Sequence, residues 1–226
     1  MTRKTVPPLP IALPDVGRGE ETTIREPVNP VCRGIVAVLG TLLSLICLSW
    51  ALGLHTAVGV ALHNVQFLAV VLGIAIAISF NALSIRRKPH AEISYVDMAL
   101  AAIGLLSCLW IAGSYPRLMQ DVSYRTPEIL VLAFIIFILV LETLRRCTGW
   151  TLLIVVLVFV AYAMVAHLMP ADIRGKPQAP GSLVVYLSFD PSAVFGSPLM
   201  IGSTIVIMFI WMGEMLMRSG GGEFFR

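Results

Sequence analysis

The chain has 226 residues, of which 58% are hydrophobic and 13% are charged, and its formal net charge is +3. Soluble domains are roughly 45–50% apolar and about 25% charged, so this composition excludes an ordinary soluble globular domain. The basic residues form no run interleaved with aromatic residues, so nucleic acid is not expected as a partner. We therefore predict an all-α, polytopic membrane protein, a helical bundle with about six spans surrounded by the lipid bilayer.

The first 33 residues differ in character from the rest of the chain. They combine mixed charges with six prolines, which leaves too little apolar surface to offset the entropy lost on ordering. The first apolar run begins late and is longer than that of a signal peptide, and it lacks an obvious small-residue cleavage site. We predict a mobile cytoplasmic tail over residues 1–33.

Six apolar stretches follow the tail. A spanning helix needs about 20 largely apolar residues, because the hydrocarbon core is roughly 30 Å thick. The stretches are continuous rather than alternating in polarity, which favours helices over the strands of a barrel. The predicted spans 1 to 6 cover residues 34–54, 57–85, 98–115, 129–141, 151–169 and 198–213, the last continuing to 217.

Local signals mark several helix starts. Ser94 with Asp97 fits a capping box, and residues 126–128 (Thr-Pro-Glu) supply a cap, a first-turn proline and an acid. Asp190 followed by proline gives the same signal, a cap and a first-turn proline, before span 6. A second proline follows Ser197, so residues 191–197 are predicted as a short interfacial or re-entrant turn.

The basic residues set the predicted orientation. On alternating spans, twelve of the sixteen Lys and Arg residues fall on one side and four on the other. Lys and Arg accumulate in short cytoplasmic loops, so both termini are predicted to be cytoplasmic. Residues 170–193 then form an external loop.

Two acidic residues lie closest to the predicted hydrocarbon region. Glu142 precedes Arg145 and Arg146 by three and four residues, and Glu214 precedes Arg218 by four, so each acid can pair within its own helix. A gate or an ion path is one hypothesis for these acids. A structural ion pair that fixes the depth of the helix is the other, and we favour it.

The remaining chemistry-bearing residues give no catalytic pattern. Three histidines near the outer surface lack metal-ligand spacing, and the four cysteines lack paired spacing, so we interpret them as interfacial polar residues and reduced, small apolar residues. No enzyme activity, cofactor or metal is expected. These residues are His55, His63, His167, Cys32, Cys47, Cys108 and Cys147.

Four glycines within the predicted spans are candidates for close helix packing. Small residues are the usual contact points where lipid supplies no hydrophobic drive between helices. A neutral, lipid-facing position is the alternative for each. The four are Gly104, Gly113, Gly202 and Gly213.

The second half of the chain resembles a known family. Residues 141–150 (LETLRRCTGW), which include Gly149 and Trp150, resemble the junction between helices 4 and 5 in fused membrane permeases of tripartite ATP-independent periplasmic (TRAP) transporters, of the type served by TAXI binding proteins. Residues 195–199 (FGSPL), with Gly196 and Pro198, resemble the opening of the family's large transport domain.

The same resemblance continues along span 6 to residue 225. The matching residues there are Gly213, Ser219, Gly220, Gly222, Phe224 and Phe225. The family usually has an apolar residue where this chain has Glu214. That departure weakens any role assigned to Glu214 by analogy.

The resemblance implies a function and a division of the chain. Residues 34–169 would be a small-subunit-like membrane domain, and residues 194–226 the start of a large transport domain, apparently truncated. The expected function is a membrane component of a secondary, sodium-coupled transporter for small organic acids in the bacterial inner membrane. Its partners would be a periplasmic TAXI-type binding protein and the rest of the large permease. A non-catalytic scaffold or accessory subunit is the alternative, and a membrane enzyme ranks last.

Overall fold

A computed structural model describes residues 30–57, 59, 62–83, 95–121, 127–168 and 179–220. These residues contain helices and turns and no β-strand. A 3₁₀ turn (Ala166–Leu168) follows the helix Trp150–Val165, and a π-helical turn (Gly202–Val206) joins the helices Ser197–Ile201 and Ile207–Arg218. The α-helices are α1 (Pro30–Ala51), α2 (Leu54–Ala57), α3 (Asn64–Ala82), α4 (Tyr95–Asp121), α5 (Pro127–Thr148), α6 (Trp150–Val165), α7 (Pro180–Phe189), α8 (Ser197–Ile201) and α9 (Ile207–Arg218).

Five of the helical segments are long and apolar enough to cross a membrane. They lie in α1, α3, α4 and α5 and in the continuous helix Ser197–Arg218, which combines α8, the π-helical turn and α9. They correspond to predicted spans 1, 2, 3, 4 and 6. The prediction of a polytopic helical membrane bundle is confirmed.

Predicted span 5 matches a helical segment, residues 150–168, within one residue at each end. Its α-helix has 16 residues, and a three-residue 3₁₀ turn extends it to Leu168, the last described residue before the gap. At 1.5 Å per residue the α-helical part rises about 24 Å, less than the roughly 30 Å of a hydrocarbon core. The three residues of the 3₁₀ turn add about 6 Å, so the described helical segment reaches about the thickness of the hydrocarbon core.

The helix ends differ from the predicted ones for identifiable reasons. Helix α1 begins at Pro30, inside the predicted tail, because a first-turn proline needs no hydrogen-bond partner; residues 1–29 lie outside the described part. Predicted span 2 begins at Asn64 rather than at residue 57, after turns at Gly53 and Gly59, whose φ values are +68° and +77°. Helix α5 continues to Thr148, seven residues beyond the prediction.

Helix α7 lies inside the segment predicted as an external loop. It packs on α5, where the buried Ser188 hydroxyl donates a hydrogen bond of 2.8 Å to the Ala133 carbonyl. The prediction that Asp190 starts a helix is wrong. Asp190 ends α7, and its carboxylate accepts a hydrogen bond from the Ser192 backbone N–H at 2.8 Å, which favours a turn over residues 191–195.

Helix α3 is the centre of the bundle. It contacts α1, α4 and α5. Of the 18 most apolar consecutive positions in α3, 56% are buried inside the molecule, against 6% of those in Ser197–Arg218. Gly73 on α3 faces Cys108 on α4, and Gly104 on α4 faces Ile76 on α3, so the two helices run antiparallel. The packed part of the molecule is therefore α1 and α3–α5, with α7 packed on α5.

Close packing is confirmed at one of the four candidate glycines. A Cβ atom at Gly104 would lie 2.7 Å from Ile76 Cγ2, whereas Gly113, Gly202 and Gly213 have no heavy atom within 4 Å of that position. The sequence analysis missed Gly73, where a Cβ would lie 2.8 Å from the Cβ of Cys108. The α3–α4 contact therefore depends on one glycine from each helix.

We expect Gly104→Ala to lower the free energy of unfolding by about 1 kcal/mol, because the added methyl group overpacks the contact with Ile76. The matched control is Gly113→Ala on the same helix, which meets open space. Thermal unfolding in detergent compares the two variants. Equal midpoints would contradict the close-packing interpretation.

A buried arginine cluster as the candidate functional site

Arg146, near the C-terminal end of α5, is the most buried charged side chain among the described residues. Its side chain is 1% exposed, and its Nη2 donates a 2.8 Å hydrogen bond to Oδ1 of Asp97, whose side chain is 5% exposed. Asp97 lies in the first turn of α4. A charge-assisted bond between two buried groups is strong and costly to break.

The same guanidinium group makes three further contacts. Its Nη1 donates to the Leu83 carbonyl at the end of α3, and its Nε donates to Glu142 on α5, both at 2.9 Å. The guanidinium carbon lies 4.2 Å from the centre of the Phe80 ring, within the range of a cation–π contact. Arg146 thus connects α3, α4 and α5, and it occupies one of the carbonyls that a helix end leaves unpaired.

Arg145 forms the outer part of the cluster. Its Nε and Nη2 donate to the two oxygens of Glu142 at 2.7 and 2.6 Å, a two-pronged pairing. The guanidinium carbon lies 5.6 Å from the ring centre of the exposed Trp150. Both contacts predicted for Glu142 are therefore present, and Glu142 bridges a buried arginine and a partly exposed one. We call Asp97, Glu142, Arg145 and Arg146 the arginine cluster.

Asp97 is the member of the cluster that sequence reasoning missed. It was interpreted as half of a capping box with Ser94, which lies outside the described residues. The available signal was an acid in the first turn of one span and an arginine in the last turn of the next. Antiparallel neighbours bring those two turns to the same end of a bundle.

The second predicted ion pair is formed, but apart from the cluster. Arg218 Nε donates to Glu214 Oε1 at 2.7 Å, and the side chains are 80% and 60% exposed. In the described part of the chain, neither side chain bonds to the arginine cluster. Exposed pairs of this kind contribute little to stability in water.

The family-like residues occupy backbone positions with special requirements. Gly149 separates α5 from α6 with φ = +89°, a conformation that favours glycine. At Gly196 a Cβ would lie 2.6 Å from the carbonyl oxygen of Pro191, and backbone atoms move less readily than side chains. Pro198 lies in the first turn of α8.

The matching residues at the end of α9 are only partly described. Ser219 ends α9, and its backbone N–H donates to the Met215 carbonyl at 2.9 Å. Gly220 follows with φ = +83°, which is typical of a helix C-terminus. Gly222, Phe224 and Phe225 lie outside the described residues.

At the opposite end of the bundle, Gln66 of α3 compensates for a proline in α4. Pro116 has no backbone N–H and leaves the Ala112 carbonyl, four residues earlier, without its helical partner. Gln66 Nε2 donates to that carbonyl at 2.8 Å, while its Oε1 accepts from the His63 backbone N–H at 3.0 Å. This contact explains why α4 continues past the predicted end of span 3 to Asp121.

The histidines and cysteines form no metal-ligand group within the described residues. His55 stacks on Trp50 at 4.0 Å, and the His63 and Tyr115 rings lie 5.5 Å apart. His167 Nδ1 contacts the Met164 carbonyl at 3.1 Å. All four cysteines are free thiols; Cys147 is exposed, and the others are buried.

The geometry of the arginine cluster is that of a brace between helices. Each acid is bound by a guanidinium group, and the bond from Arg146 to the Leu83 carbonyl brings in the end of α3, so the contacts join three helices. Such a closed set of pairs can fix helix positions, but it does not present a free acid or base to a substrate. Comparison of the chain with protein-family models, curated proteins and solved structures finds no match.

Proposed function

We propose that this chain is a membrane component of a secondary, sodium-coupled TRAP-type transporter in the bacterial inner membrane. Its cargo would be small organic acids delivered by a periplasmic TAXI-type binding protein. In this proposal α1 and α3–α5 support a transport domain, and the chain does not transport by itself. Support comes from the resemblance of residues 141–150 and 195–225 to such permeases.

One contrast in the structure carries the proposal. The helices α3–α5 are joined by the arginine cluster. In contrast, only 6% of the most apolar 18-residue stretch of Ser197–Arg218 is buried inside the molecule. Phe209, Ile210 and Met215 on that helix are each more than 60% exposed. A braced bundle beside an apolar, largely uncovered helix is consistent with a support part that meets a larger membrane domain.

We expect proteoliposomes that contain only residues 1–226 to take up no radiolabelled organic acid under a sodium gradient, because secondary transporters use paired repeats around a central site. The positive arm adds a large TRAP-type permease domain and a TAXI-type binding protein. Sodium-dependent uptake in that arm alone is the expected result. Uptake by residues 1–226 alone would contradict the supporting role, and no uptake with all partners would contradict the transporter.

A non-catalytic scaffold is the second candidate, and the closed arginine cluster favours it. We expect Glu142→Ala to reduce the yield of folded protein, because the substitution removes the acceptor shared by Arg145 and Arg146. Substrate selectivity of the assembled complex should stay the same. The matched control is Glu214→Ala, which breaks an exposed pair. A changed selectivity at unchanged protein level would count against the scaffold.

A further inference from the structure

A groove of about 610 Å³ lies between α4 and α5, at the end of the bundle opposite the arginine cluster. Toward the middle of the two helices it is lined by Leu106 and Val131, whose exposed fractions are 64% and 58%. Toward their ends it is lined by the exposed Trp110 and by Glu128 in the first turn of α5. The groove is therefore apolar at one end and polar at the other.

Glu128 offers a hydrogen-bond acceptor to this groove. Its Oε1 accepts a 3.2 Å hydrogen bond from Trp110 Nε1. Its Oε2 lies 3.6 Å from Nη2 of Arg117, which is too far for a hydrogen bond. The Glu128 side chain is 37% exposed, and Oε2 is not among the buried atoms of the described residues that lack a hydrogen bond. A donor that enters the groove can therefore reach Oε2.

Arg117 places a positive charge beside this acid. Its side chain is 69% exposed, near the C-terminal end of α4. A guanidinium group has five N–H donors, so it can bind a phosphate while it stays close to a carboxylate. Purely basic pockets between spans favour anionic lipids. An acid and a base side by side, with no net charge, are instead complementary to a head group that carries both charges.

The groove opens to the bilayer at the level of the head groups. Both of its walls are helices long enough to span a membrane, and its exposed apolar side chains lie on their outer surface. Tryptophan near the end of a span is typical of the head-group level. Leu106 and Val131 lie about one helical turn deeper than Trp110 and Glu128, at the level of the acyl chains.

We propose that this groove binds one phosphatidylethanolamine molecule, with an acyl chain along Leu106 and Val131, the ammonium donating to Glu128 and the phosphate bound by Arg117. Phosphatidylcholine carries the same two charges but has no N–H, so it cannot donate to Oε2. Phosphatidylglycerol lacks the ammonium, and Glu128 repels its negative charge. This inference concerns only α4 and α5 and is independent of the proposed transport function.

The test uses the full chain in phosphatidylcholine nanodiscs that contain a trace of one lipid with a diazirine on an acyl chain. The labelled lipid is phosphatidylethanolamine, phosphatidylcholine or phosphatidylglycerol. Mass spectrometry compares labelling at Leu106 and Val131 with labelling at Val158 and Phe159 of α6, which are also exposed. We expect this ratio to be about tenfold higher for phosphatidylethanolamine than for the other two lipids, which corresponds to 1.4 kcal/mol.

Two variants separate the head-group contact from the groove itself. Glu128→Gln keeps an acceptor for Trp110 but removes the charge, and we expect it to lower the phosphatidylethanolamine ratio about tenfold, to that of phosphatidylcholine. Val131→Trp fills the groove and should reduce labelling at Leu106 by all three lipids. The matched control is Glu214→Gln, which removes an exposed acid elsewhere and should leave the ratio unchanged.

The outcomes that would overturn the proposal are distinct. Equal ratios for phosphatidylethanolamine and phosphatidylcholine would exclude the N–H contact with Glu128. The highest ratio for phosphatidylglycerol would indicate an anionic-lipid site at Arg117. An unchanged preference in folded Glu128→Gln, or undiminished labelling of Leu106 in folded Val131→Trp, would also contradict it. If Glu128→Gln does not fold, the comparison of lipids on the wild type and Val131→Trp still decide.

Discussion

Replacing Arg146 with leucine is expected to lower the free energy of unfolding by about 3–5 kcal/mol, because the buried carboxylate of Asp97 loses its bond to the guanidinium group. The substitution also releases the Leu83 carbonyl at the end of α3. The contacts of Arg146 with three helices make this the largest effect that we expect from a single substitution. Reversible SDS denaturation, followed by the fluorescence of the four tryptophans, measures it.

Arg145→Leu is the matched control for that experiment. Arg145 is the neighbouring arginine, 22% of its side chain is exposed, and Glu142 keeps its bond to Arg146 when Arg145 is removed. We expect a loss of no more than about 1 kcal/mol. The double variant Asp97→Leu/Arg146→Leu should recover much of the loss of Arg146→Leu, since replacing both members of a buried pair is often nearly neutral. Equal effects of the two single arginine variants would contradict the brace.

Gln66→Leu is expected to lower the free energy of unfolding by about 1–3 kcal/mol, because it leaves the partly buried Ala112 carbonyl without its side-chain donor. Pro116→Ala restores a backbone N–H that can bond to the same carbonyl. The loss caused by Gln66→Leu should therefore shrink in the Pro116→Ala background. SDS denaturation of the wild type, both single variants and the double variant completes a double-mutant cycle, which gives the coupling energy between the two positions.

The size of the coupling energy decides between two roles for Gln66. If Gln66 compensates for Pro116, the two substitutions are not additive, and the coupling energy is about 1 kcal/mol or more. Additive losses would show that Gln66 stabilises α3 locally through the His63 backbone N–H. Gln66→Glu is a useful further variant, since it keeps the shape and the acceptor but removes the amide donor.

The bundle could be predicted largely from apolar run length, because a span must be continuous and nearly uncharged. Predictions of helix ends were weaker. The turns at Gly53 and Gly59 interrupt a run whose composition remains apolar. Helix α7 was missed because its ten residues are too few for a span and lie in a segment with many polar residues.

The candidate site shows what a single sequence cannot provide. The spacing of Glu142, Arg145 and Arg146 predicts contacts within one helix, because residues three and four apart are neighbours on its surface. The strongest contact instead joins Arg146 to Asp97, 49 residues earlier, and depends on how α4 and α5 pack. The contact of Gln66 with Ala112 depends on the packing of α3 against α4 in the same way.

The distance along the chain between Asp97 and Arg146 also has a consequence for biogenesis. Translation at about 5–20 residues per second delivers Arg146 roughly 2–10 s after Asp97. During that interval the rest of α4 and most of α5 are synthesised, while the carboxylate of Asp97 lacks its guanidinium partner and is better solvated at the membrane surface. The cluster forms only when α5 is inserted, so the α3–α4 hairpin reaches its final packed position after the next helix has entered the membrane.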